Sequence, residues 1–165
     1  MAKLIFFDCE FTDLSIAGSL VSIGFIADSG EEFYVELSDF DEAKCNNFVK
    51  TTVLPLLTLR RISSSHFISS LMKWVGNFDE YLILVADSDW DRKMLAKSFA
   101  SLGKTLPDNW RFQKTPDNFT NAQQRQLFNN EIDAFFLRDP RQRQHNALVD
   151  ARAIRSAYKR ADAGF

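Results

Sequence analysis

Three stretches of this chain hold residue types that could do chemistry together. The first is Asp8-Cys9-Glu10, which ends the apolar run of Leu4, Ile5, Phe6 and Phe7. A run so rich in Ile and Phe reads as a buried strand, and alternate side chains on a strand share a face. Asp8 and Glu10 therefore point one way and Cys9 the other. Like charges side by side at the end of a core strand repel, and each resists leaving water. A divalent cation between them would resolve the conflict. For the pair taken alone, a strand that surfaces at Asp8 and leaves both acids solvated is the simpler reading.

The second stretch is His145 to Asp150. Ala147, Ala151, Ile154, Tyr158 and Ala161 fall on one stripe of a helix that would pack on a sheet, with Asp150 at the edge of the stripe in the first turns. A carboxylate there is favoured by the helix dipole whether or not it has a further role. Within one helix, side chains five residues apart diverge by about 140°. His145 and Asp150 can therefore converge only if His145 lies in the loop before the helix, which the polar stretch 141–145 allows. The third stretch is Asp87, Asp89 and Asp91, directly after the apolar run 81–86. Ligands of such sheets bind beyond the carboxyl ends of strands. Three acids there also describe an ordinary polar turn that caps a helix.

These stretches need a scaffold. Residues 3–9, 18–27 and 32–37 read as strands, with a tight turn over 28–31 joining the second to the third and giving an antiparallel start. Helical patterns cover 41–53 and 65–76, and 81–86 is a fourth strand apolar enough to have both faces covered. A helix follows through Leu102, then an irregular stretch over 103–119 with a short strand around Trp110–Gln113. A polar helix is expected over 120–137, a break at Asp139-Pro140, and a last helix over Ala147–Ala161. Antiparallel strands followed by alternating helices and strands suggest one mixed sheet covered on both faces.

At 165 residues, 45% of them hydrophobic and 16 of them Phe, the chain reads as one domain with a sizeable core. A net charge of −2 gives no global field that would recruit a polyanion. The local field differs: residues 138–160 hold Arg138, Arg141, Arg143, Arg152, Arg155, Lys159 and Arg160 against only Asp139 and Asp150. The two cysteines make no disulfide framework, and reduced thiols in a cytoplasmic protein are expected. No run approaches the roughly twenty apolar residues that cross a bilayer, and the apolar start is too short for a signal peptide. A soluble protein without a membrane partner is expected. His66, Trp74 and Trp90 read as structural or surface residues.

Taken together, Asp8-x-Glu10, an acid after a fourth apolar strand, and His145-x-Ala147-x-x-Asp150 resemble the DEDDh 3′–5′ exonucleases. That family includes oligoribonuclease, ribonuclease T and the proofreading exonucleases of replicative polymerases. The motifs stand in the family's order and cover nearly the whole chain. The middle motif is usually Asn-x-x-x-Asp, with an aromatic before the Asp and a Leu four residues after it. Asp87, Trp90, Asp91 and Leu95 fit that frame and select Asp91 as the functional acid. Asp87 stands in the place of Asn, so Asp87 and Asp89 stay open as alternatives. The first motif usually continues Thr-Thr-Gly-Leu, where this chain has Phe11-Thr12-Asp13-Leu14. That variant start resembles small stand-alone bacterial exoribonucleases more than proofreading subunits.

The resemblance implies an α/β fold: an RNase H-like mixed sheet, its first three strands antiparallel and the later ones parallel, with helices on both faces. It implies a single exonuclease domain over residues 1–165. Two Mg²⁺ or Mn²⁺ ions about 4 Å apart would activate water and stabilise the leaving 3′-oxygen. Oxygen-only ligands suit such ions. Asp8 would bridge both ions, Glu10 and Asp150 would complete the first and Asp91 would help hold the second. His145 would deprotonate the attacking water. Phe11, Thr12 and Leu14 would contact the terminal nucleotide, and Arg141 and Arg143, flanking His145, would grip phosphates. The expected substrate is the 3′ end of single-stranded RNA, released as 5′-mononucleotides, with DNA left open because no residue reads the 2′-hydroxyl. Relatives are often dimers, which leaves a homodimer open. Two rival readings are a nucleic-acid-binding module without catalysis, against which all five filled positions weigh, and a glycosidase-like acid pair. An i, i+2 pair on one strand cannot flank a sugar ring, which disfavours the latter.

Overall fold

Strict alternation along the first strand decides the architecture. In a computed structural model describing residues 2–78 and 81–163, β1 (Ala2–Phe11) is the central strand of a five-stranded sheet. Its odd-numbered residues Ile5, Phe7 and Cys9 are buried in one apolar cluster and Phe6 in another, on the opposite face. β2 (Leu20–Ala27) and β3 (Glu32–Glu36) continue antiparallel from it, joined by the expected turn. β4 (Tyr81–Ala86) and β5 (Trp110–Lys114) add in parallel on the other side. The order is β3-β2-β1-β4-β5, an α/β arrangement of the RNase H-like kind.

Helices cover both faces. α1 (Ser64–Val75) and α2 (Asp89–Ala100) bury Phe67, Leu71, Leu95 and Phe99 against one. α3 (Ala122–Arg138) and α4 (Ala147–Asp162) bury Phe128, Ala151, Ile154, Ala157 and Ala161 against the other. The small residues of α4 let it lie close to the sheet. Trp74 packs edge-on against Phe78 and beside Phe25 and Phe33, and Trp110 is buried against Phe99.

One expected element is corrected. Residues 41–53 do not form a helix but a short 3-10 turn (Glu42–Lys44), an extended break and a π-helical turn (Val49–Val53), with a second 3-10 turn (Leu54–Leu56) behind it. The break has local causes. The Asp41 carboxylate accepts the Ala43 N–H and the Asn46 side chain accepts the Val49 N–H, each opening a new turn. The Asn46 N–H is donated to the Thr12 carbonyl at 3.1 Å, tying this segment to the loop after β1. No helix among the described residues is long and apolar enough to cross a membrane. Cys9 and Cys45 are both free and buried.

Candidate active site

β1 and β4 pair only as far as Phe6 and Val85, while β1 runs on to Phe11. The strands part there, at the carboxyl ends of both, where the antiparallel half of the sheet meets the parallel half. The split leaves the Cys9 N–H without a ladder partner, and Asp91 Oδ1 accepts it at 3.0 Å. Asp91 can reach because β4 turns straight into α2, whose N-terminus is capped by the Ser88 hydroxyl accepting from the Trp90 N–H at 3.1 Å. Asp91 is only 2% exposed, and its second oxygen, Oδ2, is buried with no hydrogen-bond partner among the described residues.

The other wall comes from the start of α4. Asn146 caps the helix, so His145 lies outside it, in the loop. Its backbone takes the left-handed conformation, with φ 68°, which is uncommon for a residue with a side chain. The twist aims the His145 N–H at Asp150 Oδ2, which accepts it at 2.8 Å. Phe48, half exposed on the loop before the π-helical turn, meets the imidazole edge-on at 4.9 Å between ring centroids.

The two walls enclose a cleft of about 320 Å³, lined from below by Asp8 and Glu10 and on one side by Ile132 and Phe136 of α3. That volume is at the lower end of small-molecule sites. Potential ligand atoms gather in two sets of three: Glu10, His145 and Asp150 in one, Asp8, Asp87 and Asp91 in the other, the atoms of each set within 4.8 Å of one another. Burial, reinforced by the neighbouring carboxylates, pushes Glu10 up to about 8, and Asp91 likewise to about 8. Burial lifts Asp150 to about 7 against the bond from His145, and Asp8 rises well above the carboxylate range through burial and the charges of Asp91 and Asp150. Burial lowers His145. Among the described residues no ion pair joins these acids to a Lys, Arg or His, and the donors are hard oxygens with one imidazole. The set fits divalent cations such as Mg²⁺ or Mn²⁺.

The structure thus brings Asp8, Glu10, Asp91, His145 and Asp150 to one cleft, together with Asp87. Asp89 stands apart, exposed and 3.9 Å from Lys114. Phe11 lines the cleft, re-aimed where the β1–β2 register slips and Phe11 faces Leu20. Thr12 is buried outside the cleft lining, its hydroxyl accepting the Ser19 N–H at 3.0 Å to close the loop, and Leu14 is 64% exposed. Gly18 takes the tight position in that loop: a Cβ there would lie 2.3 Å from the Asp13 carbonyl oxygen. Asp13 itself therefore needs no glycine. Arg141 folds back on Asp139 through two bonds of 2.9 Å, and Arg143 lines an adjoining groove shared with Phe136 and Gln144. Sequence reasoning missed Phe48, Ile132 and Phe136. The one signal for Phe48 was an exposed aromatic in a polar stretch.

Fold and cleft together define an RNase H-like α/β protein with an acid-lined site at the carboxyl ends of its central strands. No family model matches the chain. It is similar to a protein named a 3′-5′ exoribonuclease in Mycobacterium tuberculosis, with 38% identity over 52 residues both in strain CDC 1551 / Oshkosh and in strain H37Rv. The match takes in 32% of this chain and 31% of the relative, so the chain spans about a third of the length of the curated relatives it matches.

Proposed function

We propose that the protein is a metal-dependent 3′–5′ exonuclease of the DEDDh type, releasing 5′-mononucleotides from single-stranded RNA. The observation that carries the reading is the meeting of His145 and Asp150 with Glu10, beside Asp8 and Asp91, across about 140 residues of sequence. The name of the mycobacterial relative supports RNA as substrate. We further propose one such domain over residues 1–165, acting in the cytoplasm.

Asp8, Glu10 and Asp150 would hold one divalent cation, and Asp8 with Asp91 a second. Two bound cations supply Lewis-acid activation of water and neutralise charge on the leaving oxygen. An imidazole nitrogen of His145 takes the proton of the attacking water. Burial keeps His145 neutral near pH 7, and the base must be unprotonated to act. The bond from its backbone N–H to Asp150 fixes where the residue sits, and Phe48 packs edge-on against its ring. Phe11, Ile132 and Phe136 offer apolar surface against which the terminal base can lie. Arg143, in the adjoining groove, suits a phosphate farther along the strand.

The test uses 5′-labelled RNA and DNA strands with Mn²⁺, Mg²⁺ or EDTA, alongside Asp8→Ala and His145→Ala. The expected result is a metal-dependent ladder shortening from the 3′ end, faster on RNA and lost in both variants. Internal cuts would overturn the exonuclease reading, and intact strands with retained binding would favour a non-catalytic module. Faster loss of DNA would reassign the substrate.

A further inference from the structure

We propose that Asp87 is a direct ligand of the cation held by Asp8 and Asp91, so that this position carries three carboxylates. The proposal rests on the metal-dependent reading above and extends it to a residue whose usual counterpart in the resembling family is an uncharged Asn.

Its basis is geometric. One oxygen from each of Asp8, Asp87 and Asp91 lies within 4.8 Å of the other two, a spacing a single cation can span. Asp91 spends Oδ1 on the Cys9 N–H and keeps Oδ2 buried and unpartnered in the cleft wall. A buried carboxylate oxygen without a donor is rare in a native interior and points to a missing cation or donor. Asp87 lines the same cleft from its exposed side. It is the residue immediately after β4, and Ser88 behind it caps α2, so its backbone is fixed by two elements. Among the described residues its carboxylate accepts no hydrogen bond from another side chain. The Lys114 charge acts on it, but Lys114 is itself paired with Asp117 at 2.9 Å. Among the described residues none of the three acids is held in an ion pair.

The ligand class follows from the donors. Three carboxylates and no sulfur or imidazole select a hard divalent ion, Mg²⁺ or Mn²⁺, over zinc. Ligand charge count tunes affinity in oxygen-donor sites. An Asn at this position would offer an oxygen of similar reach without the charge. Asp87 therefore tightens this position relative to the same site with an Asn, and brings it to three carboxylates, the number that Asp8, Glu10 and Asp150 give the other.

The experiment is a Mn²⁺ titration of the full chain at pH 7.5, followed by calorimetry and by the EPR signal of free Mn²⁺, on wild type, Asp87→Asn and Asp89→Asn. Wild type is expected to bind two ions. Asp87→Asn should weaken one of them by at least about 10-fold and leave the other unchanged. Asp89→Asn should match wild type, because that side chain points away toward Lys114. In EDTA the Asp87→Asn protein should melt no lower than wild type, since the change removes charge from a repelling cluster. A lower melt would overturn the placing of Asp87 in that cluster. Asp87→Asn binding both ions as wild type does would overturn the proposal and leave the exonuclease reading standing. A wild type that binds no Mn²⁺ would overturn both.

Discussion

Leu148 of α4 occupies the space that a side chain on Gly24 of β2 would need: a Cβ at Gly24 would fall 2.4 Å from the Leu148 Cα and 2.5 Å from its nitrogen. Gly24 is also the cross-strand partner of Asp8. The bare backbone at Gly24 thus lets the first turn of α4 settle directly on the sheet, beside the strand that carries Asp8 and Glu10. Asp150 and His145 belong to that turn and the loop before it. A packing contact without any reactive group sets the spacing between the two halves of the cleft.

Gly24→Ala is therefore expected to injure function more than stability. Overpacking by one methyl costs about 1–3 kcal/mol, and the relief must come from moving α4 away from β2. Nuclease activity should fall by at least about 100-fold, as expected when ligands are misplaced by about 1 Å. A thermal melt and a single-turnover cleavage assay on the same preparation check this. Full activity with an unchanged melt would show that the contact is slack.

The crowded acids make a pH prediction whose sign is fixed. Glu10 at about 8, Asp91 at about 8 and Asp150 at about 7, with Asp8 also raised, hold protons in the folded state that an unfolded chain releases near its ordinary values of about 4. Stability from these groups is complete below about pH 4 and is lost as pH rises through 7 to 8. Depressed acids such as Glu32 and Glu131 act in the opposite sense only at lower pH, and His145 opposes as one group against four. Metal-free protein should melt lower at pH 8.5 than at pH 6, at about 2–4 °C per kcal/mol for a chain of this size. Mn²⁺ should reverse the difference, with protons released on binding. A melt in EDTA that rises across this range would remove the basis for a repelling cluster.

His145 separates strain from chemistry. Its left-handed backbone disfavours any residue with a Cβ by about 1–2 kcal/mol relative to Gly. His145→Ala and His145→Gly should both lose about 10²–10⁴-fold in rate through the missing base. His145→Gly should nonetheless melt above His145→Ala, and both should bind Mn²⁺. Equal melts would mean that the loop relaxes freely once the imidazole is gone.

The sequence carried the site's chemistry better than its geometry. Alternation along β1 separated Asp8 and Glu10 from Cys9 because each residue of a strand has one face to choose. The stripe along α4 was equally plain, since its alanines recur at helical spacing. Convergence of His145 with Asp150 was legible only as something a loop would allow. The left-handed twist that achieves it has no marker, His145 being neither Gly nor Asn. Phe48 was hidden because hydrophobic spacing over 41–53 mimics a helix, while the side chains of Asp41 and Asn46 break it by bonding to nearby N–H groups. Arg141 pairs with Asp139, an acid two residues distant, a local contact that residue types alone did not announce.

Glu36 offers a prediction away from the cleft. It is 1% exposed at the end of β3, and its carboxylate accepts the Thr58 N–H at 2.8 Å, the Leu59 N–H at 3.0 Å and the Tyr34 hydroxyl at 3.1 Å. These bonds fasten the chain just after the turns that carry Phe48, and the Ile62 N–H donated to the Glu36 carbonyl at 2.9 Å extends the attachment. Bonds to a charged acceptor are worth about 1.5–3 kcal/mol each, and an orphaned buried N–H costs about 1–3 kcal/mol. Relaxation and water entry recover part of that sum, so Glu36→Ala should cost about 2–4 kcal/mol in urea unfolding. Glu36→Gln, which keeps an acceptor oxygen but not the charge, should cost less. Hydrogen exchange at Thr58 and Leu59 should quicken in both variants, more in Glu36→Ala, while the amides of β1 stay protected. Because this segment supplies Phe48 but none of the cleft's acids, cleavage below the melting range should fall by no more than about 10-fold. Glu36→Ala with wild-type stability would mean that the loop finds other acceptors, and a loss of activity as deep as that of Asp8→Ala would mean that the segment carries more of the site than Phe48.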